Sequence, residues 1–247
     1  MSDPMLAETI TIHSDQGDDI EAYLARPLGS GPYPSVVVIH HMPGYDAATK
    51  EIARRFAVHG YLTICPNLHQ RYAPGADPAD ASAAARAAGG VPDSQCLADV
   101  GGAIRHLRAL PESKSKVGVI GYCSGGRQTY LVACTLDIDA AVDCYGGNVV
   151  ASAEDLSDAQ PRAPIDLTPD LRCPLLGLFG AEDRNPSPDH VATMEKELQA
   201  SGKSFELHSY EGAGHGFFAV DRPSYDVEAA KDGWQQIWSF FGNHLAG

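Results

Sequence analysis

The chain has 247 residues, 44% apolar and 20% charged, a balance typical of a globular protein with a sizeable buried core. Its formal net charge of -14 argues against nucleic acid or an anionic membrane surface as a partner. No apolar run reaches the ~18 residues that a membrane-spanning helix needs. The start, Met1-Ser2-Asp3-Pro4, has no basic stretch followed by an apolar one, so we expect no signal peptide and a cytoplasmic location.

The six cysteines are widely spaced and form no C-x-x-C pair. In a chain of this size, that spacing favours free thiols in a reducing compartment over a disulfide framework. We predict that most of them are small core residues, because Cys65, Cys144 and Cys173 lie in or beside apolar runs.

The predicted elements alternate between short apolar strands and helices. The first two strands, 9–12 and 20–25, are predicted to form an antiparallel hairpin that turns at 15–18. Dense apolar runs bounded by turn residues predict six further strands, over 35–40, 61–65, 117–120, 140–145, 174–179 and 204–208. Helical spacing and stop signals predict five helices, over 47–59, 95–110, 128–135, 187–201 and 224–245.

This alternation predicts an α/β fold, with a mainly parallel central sheet, helices on both faces and a single domain over residues 1–247. Segment 74–92 is rich in Ala, Gly, Asp and Pro, which leaves two interpretations open, a mobile linker or a lid over a site. Reactive residues of such sheets lie at the carboxyl ends of the strands, which provides a test for each candidate.

The most informative motif is Gly121-Tyr122-Cys123-Ser124-Gly125-Gly126, between a predicted strand and a predicted helix. It has the pattern of a nucleophile elbow with cysteine in place of the more usual serine. The dipole of the following helix should lower the pKa of the Cys123 thiol and favour the reactive thiolate. The alternative is a small buried residue in a glycine-rich turn.

Two further candidates follow later strands. His215 lies in a loop with glycine at 212, 214 and 216, and Asp183 follows the strand at 174–179, with Glu182 as the rival carboxylate. The order of nucleophile, acid and histidine matches that of α/β-hydrolases. Cys123 would attack an acyl carbon, His215 would carry the proton, and Asp183 would orient the imidazole.

An oxyanion formed during such an attack needs two backbone donors. We predict the amide of Ser124, at the start of the helix, and the amide of Met42, in the loop after the strand at 35–40. Pro43, next to Met42, has no N–H to donate.

The chain resembles the dienelactone hydrolase (carboxymethylenebutenolidase) family over nearly its whole length and in the same order. The resemblance rests on the elbow, Cys65-Pro66-Asn67-Leu68, Ala73-Pro74-Gly75 and Gly212-Ala213-Gly214-His215. It implies an α/β-hydrolase fold, no cofactor, and hydrolysis of a lactone or other activated ester. It also implies that Cys123, Asp183 and His215 form the triad.

One departure from the family lies beside the predicted oxyanion donor. The family usually carries there a glutamate that engages the resting thiol, whereas this chain has His41. A histidine near a thiolate can act as a second base or a charge partner, or it can simply fill space. Our hypothesis is that His41 is an auxiliary residue that helps to set thiolate availability.

A second departure concerns substrate binding. The family binds a substrate carboxylate with arginines, one of them four residues after the histidine, where this chain has Ala219. Arg222 is displaced from that place, and Arg86 matches the other arginine only loosely. These departures favour a neutral ester or lactone, with Arg86 retained as a candidate contact. Further candidates, for a more apolar mouth, are Tyr72, Phe217 and Phe218, although aromatics of this kind more often serve core packing than ligand contact.

Four functions remain open at this point. The leading one is a cysteine-dependent hydrolase of lactones or activated esters, acting on a small molecule as a monomer or small homo-oligomer. An acyl transferase and a non-catalytic binding or regulatory scaffold are the alternatives. A metal-dependent hydrolase, suggested by His40-His41, is disfavoured because H-E-x-x-H is missing and adjacent strand residues point apart.

Overall fold

The computed structural model of the chain describes residues 4–246. Residues 1–3, which bear on the expectation about a signal peptide, lie outside the described residues. Eight strands form one sheet. Their bounds are β1 Met5–His13, β2 Asp19–Pro27, β3 Tyr33–Ile39, β4 Leu62–Pro66, β5 Ser113–Tyr122, β6 Ala140–Cys144, β7 Leu175–Gly180 and β8 Phe205–Tyr210.

The strand order is β1-β2-β4-β3-β5-β6-β7-β8. Strands β1 and β2 pair antiparallel, as predicted for the entry hairpin, and β2 also pairs antiparallel with β4. Each of the other neighbouring pairs, from β4 to β8, is parallel. The predicted mainly parallel sheet is therefore confirmed, and the carboxyl ends of six strands meet at one edge.

Within residues 4–246, six α-helices connect and cover the strands. Their bounds are α1 Ala47–Val58, α2 Pro78–Ala87, α3 Asp93–Ala109, α4 Ser124–Thr135, α5 Pro188–Ala200 and α6 Val227–Leu245. No helix within residues 4–246 is both long enough and apolar enough to cross a membrane.

The core is divided between the two faces of the sheet. In β3, Val37 and Ile39 pack into the cluster under α3, α4 and α5, whereas Val36 and Val38 pack into the cluster under α1 and α6. Successive strand residues point to opposite faces, so a strand covered on both sides needs a continuous apolar run. The dense β-branched sequence of β3 meets that need and confirms helices on both faces.

Segment 74–92, which the sequence left open, contains α2. Pro78 is the first residue of this helix, where its fixed φ suits a helix start and its missing N–H costs nothing. Ala81 and Ala85 are buried on the inward-facing side of the helix. The centre of the segment is therefore an ordered helix, and the last turn of that helix carries Arg86 to the edge of the cleft described below.

Candidate active site

Cys123 lies at the sharp turn between β5 and α4. Its φ is 57°, in the left-handed region that L-residues rarely adopt. A side chain at Gly121 would collide with the Gly125 carbonyl, and one at Gly125 would collide with the Ile39 carbonyl. Glycine is therefore required at positions 121 and 125 by close backbone approach, and the turn holds the sulfur at the carboxyl edge of the sheet.

Asp183 and His215 meet at the same edge, from the loops after β7 and β8. The Nδ1 atom of His215 lies 2.8 Å from Oδ2 of Asp183. Asp183 is buried, and its Oδ1 accepts a hydrogen bond of 2.9 Å from the Asn185 amide. The rival Glu182 is exposed. The ring of His215 is also held edge-on against Tyr145, at a centroid distance of 5.2 Å.

The thiol and the imidazole perturb each other. Burial, the largest single cause, acts to raise the pKa of Cys123, but the pKa is lowered overall, mainly by a hydrogen bond and Coulomb attraction from His215. The pKa of His215 is raised, first by its hydrogen bond to Asp183 and then by Cys123, against an opposing effect of burial. Both shifts favour a thiolate beside an imidazolium.

Two backbone amides also stabilise the thiolate. Hydrogen bonds from the amides of Ser124 and Met42 contribute to lowering the pKa of Cys123. Ser124 is the first residue of α4, so its N–H is one of the free donors at a helix N-terminus. Both residues named from the sequence as oxyanion donors therefore direct their N–H groups toward the sulfur.

The sulfur opens into a cleft of about 650 Å³. The cleft brings together the catalytic candidates, both amide donors and several polar residues. It is lined by Met42, Arg86, Gly89, Gly90, Cys123, Ser124, Arg127, Gly147, Asn148, Gln160, Asp183, Arg184, Asn185 and His215.

Among the residues that the structure describes, Arg86 is the one substrate-binding candidate that lines this cleft. Tyr72 is half-buried and donates its hydroxyl to the Gly90 carbonyl and to Gln95, so its ring braces a loop. Phe217 is fully buried between Tyr145 and Tyr210 as core. These two side chains are placed for packing, because their rings fill the interior beneath the loops.

Phe218 and His41 line a second, largely apolar pocket between α1, α6 and the loop after His215. His41 lies 2.7 Å from Asp46 through its Nε2 atom, and Asp46 also caps α1 by accepting from the Thr49 amide at 2.8 Å. The Nε2 atom of His41 is thus paired with the carboxylate of Asp46, the N-cap residue of α1. A role for His41 in thiolate availability stays a prediction.

The sequence did not single out Arg127, which lies in the cleft wall. Its guanidinium is 2.6 Å from Asp93, and both side chains are largely buried. A sequence signal existed, because Arg127 lies four residues after Cys123 and therefore on the same face of α4. Arg184, another cleft residue that was missed, directly follows Asp183.

His40 and His41, which prompted the metal hypothesis, have different partners. The Nε2 atom of His40 accepts from the Leu68 amide at 3.2 Å, whereas Nε2 of His41 faces Asp46. Over residues 4–246, no three His, Cys, Asp or Glu side chains are grouped so that they could hold a metal ion.

The strand order, the mostly parallel sheet and the strand-turn-helix elbow at its carboxyl edge define an α/β-hydrolase. The model of the dienelactone hydrolase family matches residues 20–245, so the chain belongs to that family.

Similar proteins carry related names. The chain is 36% identical over 248 residues to a "Putative carboxymethylenebutenolidase" of Salmonella typhimurium, covering 98% of this chain and 89% of that protein. It is 30% identical over 253 residues to a "Probable 2-oxo-3-(5-oxofuran-2-ylidene)propanoate lactonase" of a Bradyrhizobium species, with 98% of each covered. The crystal structure of a "Putative Dienelactone Hydrolase" from Klebsiella pneumoniae superposes with a TM-score of 0.88 and 34% identity, covering 98% and 100%.

These findings agree on the class of reaction. The protein is a dienelactone hydrolase-like enzyme that hydrolyses lactones or carboxylic esters. Its substrate is accordingly a small molecule.

Proposed function

We propose that the enzyme cleaves a lactone or activated ester through a Cys123, His215 and Asp183 triad and a covalent acyl-enzyme. The observation that carries the proposal is the set of contacts around the sulfur. The Cys123 thiol interacts with His215, whose other ring nitrogen is 2.8 Å from Asp183, and both amide donors face the same sulfur. The nucleophile thus contacts the base, and the base contacts the carboxylate that orients it.

In the acylation step, the Cys123 thiolate attacks the carbonyl carbon and forms the S–C bond. The carbonyl oxygen becomes an oxyanion, which the Met42 and Ser124 amides stabilise. As the intermediate collapses, the C–O bond breaks, and the imidazolium of His215 gives its proton to the departing alkoxide. In a lactone, that alcohol stays tethered to the acyl group.

In the second step, His215 acts as a base toward water. Acylation removes the thiolate charge, which is one of the causes that raise the pKa of His215. The pKa of His215 therefore falls on acylation, and the neutral ring can take a proton from the attacking water. The tetrahedral intermediate then expels Cys123 as a thiolate, and the carboxylic acid is released.

The substrate class follows from the nucleophile and the cleft. A thiolate leaves more readily than an alkoxide of an unactivated ester, so lactones and esters with good leaving groups are favoured over amides. We propose that the exposed Arg86 side chain contacts a polar group of the substrate at the cleft rim. The lactonase name of the Bradyrhizobium relative supports a cyclic ester among the substrates.

Two alternatives compete with this mechanism. A binding or regulatory scaffold would need neither the perturbed thiol nor the bonded carboxylate, and both argue against it. An acyl transferase would use the same acyl-enzyme but release the acyl group to an alcohol or amine. Adding such acceptors to a turnover assay distinguishes the two, because only a transferase diverts most of the acyl group from water.

The proposal is tested by rapid-mixing kinetics with p-nitrophenyl acetate and a panel of enol-lactones. We expect a burst of one nitrophenolate per chain, abolished in Cys123→Ala and strongly reduced in Cys123→Ser. Cys134→Ala is the matched control, since Cys134 is a buried core cysteine of α4. A full burst in Cys123→Ala would contradict the proposed nucleophile.

Two further inferences concern the domain organisation of the chain and the compartment in which it works. We infer that the chain is one domain, which is supported by the single continuous sheet of eight strands. We also infer a reducing, cytoplasmic environment, supported by six cysteines that are all free.

A further inference from the structure

The peptide that joins His41 to Met42 carries the second amide donor of the site. Its carbonyl oxygen, on His41, accepts from the Gly44 amide at 2.9 Å and faces Nδ1 of His40 at 2.9 Å. A trans peptide is planar, and its C=O and N–H point in opposite directions. Fixing the His41 carbonyl therefore also fixes the direction of the Met42 N–H, which faces the Cys123 sulfur.

The second contact of His40 determines which tautomer makes this bond. The Leu68 amide donates to Nε2 of His40 at 3.2 Å, so Nε2 must carry the lone pair. In the neutral ring the proton is then on Nδ1, which donates it to the His41 carbonyl. One imidazole thus ties the loop after β3 to the loop after β4, and it can do so only in this tautomer.

The surroundings of His40 keep the ring neutral and still. It is 2% exposed, and the ring of His69 packs against it edge-on at a centroid distance of 4.6 Å. Burial and then His69 lower the pKa of His40 to about 3. The ring therefore holds a single protonation state across the neutral range, so its hydrogen bonds persist.

We propose that His40 is a positioning residue that aims the Met42 N–H at the developing oxyanion. This inference rests on the proposed acyl-enzyme mechanism, since it names what orients one of the two donors. His40 touches neither the sulfur's proton partner His215 nor the acid Asp183 through any hydrogen bond in the described chain. His40 therefore acts on the reaction only by orienting the His41–Met42 peptide.

A second contact restrains the next peptide group, which joins Met42 to Pro43. The Ser82 hydroxyl, on α2, donates to the Met42 carbonyl. The peptides before and after the Met42 α-carbon are therefore each held by a side chain, one from the loop after β3 and one from α2. An oxyanion donor that must not move during the reaction benefits from restraint on both sides.

The proposal makes a specific kinetic claim. The oxyanion exists only in the transition state and the tetrahedral intermediate, so loss of positioning should lower kcat and leave KM nearly unchanged. Alkylation of Cys123 by iodoacetamide provides a reference reaction. There the thiolate attacks a CH₂ carbon, the S–C bond forms, iodide leaves with the electron pair, and no oxyanion develops.

The test compares two amide variants of nearly equal chemistry. His40→Asn places an N–H near Nδ1 and can still donate to the His41 carbonyl. His40→Gln reaches Nε2 and can still accept from Leu68, but it has no donor at Nδ1. Each variant is measured for its acylation rate with p-nitrophenyl acetate and its alkylation rate with iodoacetamide.

We expect His40→Gln to acylate roughly 10- to 100-fold more slowly, approaching the loss seen when an oxyanion donor is removed. His40→Asn should retain a rate within about 5-fold of the wild type, and both variants should keep alkylation rates within about 3-fold. Circular dichroism verifies that each variant is folded, and His40→Phe adds a third variant that lacks both hydrogen bonds.

Equal acylation by His40→Gln and wild type would overturn the proposal. A parallel loss of acylation and alkylation would also overturn it, because that pattern indicates a general effect on the thiol or the fold. Failure of the mechanism itself looks different: wild-type enzyme would then show no acylation burst at all.

Discussion

At the residue scale, two adjacent carboxylates have different environments. Asp183 is buried and bonded to His215, whereas Glu182 is exposed and contributes its backbone amide to the Ala213 carbonyl. The sequence named Asp183 with Glu182 as its rival, and composition alone offered no reason to separate them. Asp183, and not Glu182, reaches His215 because the loop after β7 turns Asp183 inward.

We predict that Asp183→Asn lowers kcat/KM by at least about 10²-fold, because the imidazole loses its orientation and the partner of its charged form. The hydrogen bond to Asp183 is the first cause of the raised pKa of His215. Activity rises with pH as Cys123 loses its proton and falls as the His215 imidazolium loses its own. The alkaline limb should therefore move to lower pH in Asp183→Asn, which a pH profile of kcat/KM measures.

Glu182→Gln is the matched control for this prediction, with both limbs expected to stay in place. An unchanged alkaline limb in Asp183→Asn would contradict the assignment of Asp183 as the partner of the imidazolium.

At the element scale, the sequence predicted most strands and helices, and its errors share a physical cause. Helix α4 begins at Ser124, four residues before its predicted start at 128. Gly125 and Gly126 suggested a turn, but both lie within the helix. Glycine is needed at these positions because the Ile39 carbonyl and the Asp143 carboxyl leave no room for a side chain. Glycine required by packing and glycine required by a turn look alike in a sequence.

Helix α2 was hidden for a related reason. The prolines and glycines of segment 74–92 lie mostly outside the helical residues Pro78–Ala87, and the interior is rich in alanine. Composition averaged over the whole segment therefore resembled a linker, although its centre has high helix propensity.

The buried pair of Arg127 and Asp93 connects two elements, the N-terminus of α3 and the first turn of α4. Removing one partner of a buried ion pair leaves the other charge uncompensated, which typically costs about 3 to 5 kcal/mol. We predict that Asp93→Asn lowers the free energy of unfolding by about 3 kcal/mol in urea titrations.

The surface pair of Arg54 and Glu51 provides the comparison, because Glu51 is about half exposed, at 54%. Glu51→Gln should change the free energy of unfolding by less than about 1 kcal/mol. Equal decreases in the free energy of unfolding for the two variants would show that the Arg127–Asp93 pair does not stabilise the packing of α3 against α4.

At the scale of the whole molecule, the proximity of the three triad candidates was predictable because the carboxyl ends of parallel strands share one edge of a sheet. Three residues distant in sequence, Cys123, Asp183 and His215, could therefore be brought together from strand positions alone. Contacts that cross between loops were not predictable in the same way. The pairing of His41 with Asp46 and the bracing of the Met42 peptide by His40 depend on side-chain directions that no periodicity records.

The six cysteines differ in the direction in which their surroundings shift the thiol pKa. Burial raises the pKa of five of them, and Cys123 is the one whose pKa is lowered; the five are Cys65, Cys96, Cys134, Cys144 and Cys173. Only a thiolate is a strong nucleophile at neutral pH. Cys123 is therefore the cysteine of the described chain whose environment favours the thiolate, as the proposed mechanism requires.

The most direct test of the account is to locate the acyl group during turnover. Wild-type enzyme is mixed with p-nitrophenyl acetate, quenched in acid within the burst and digested, and its peptides are analysed by mass spectrometry. The account predicts one acetyl group per chain, on the peptide that contains Cys123, which disappears as deacylation proceeds. An acetyl group on another residue, or turnover with no adduct on Cys123 at any time, would contradict it.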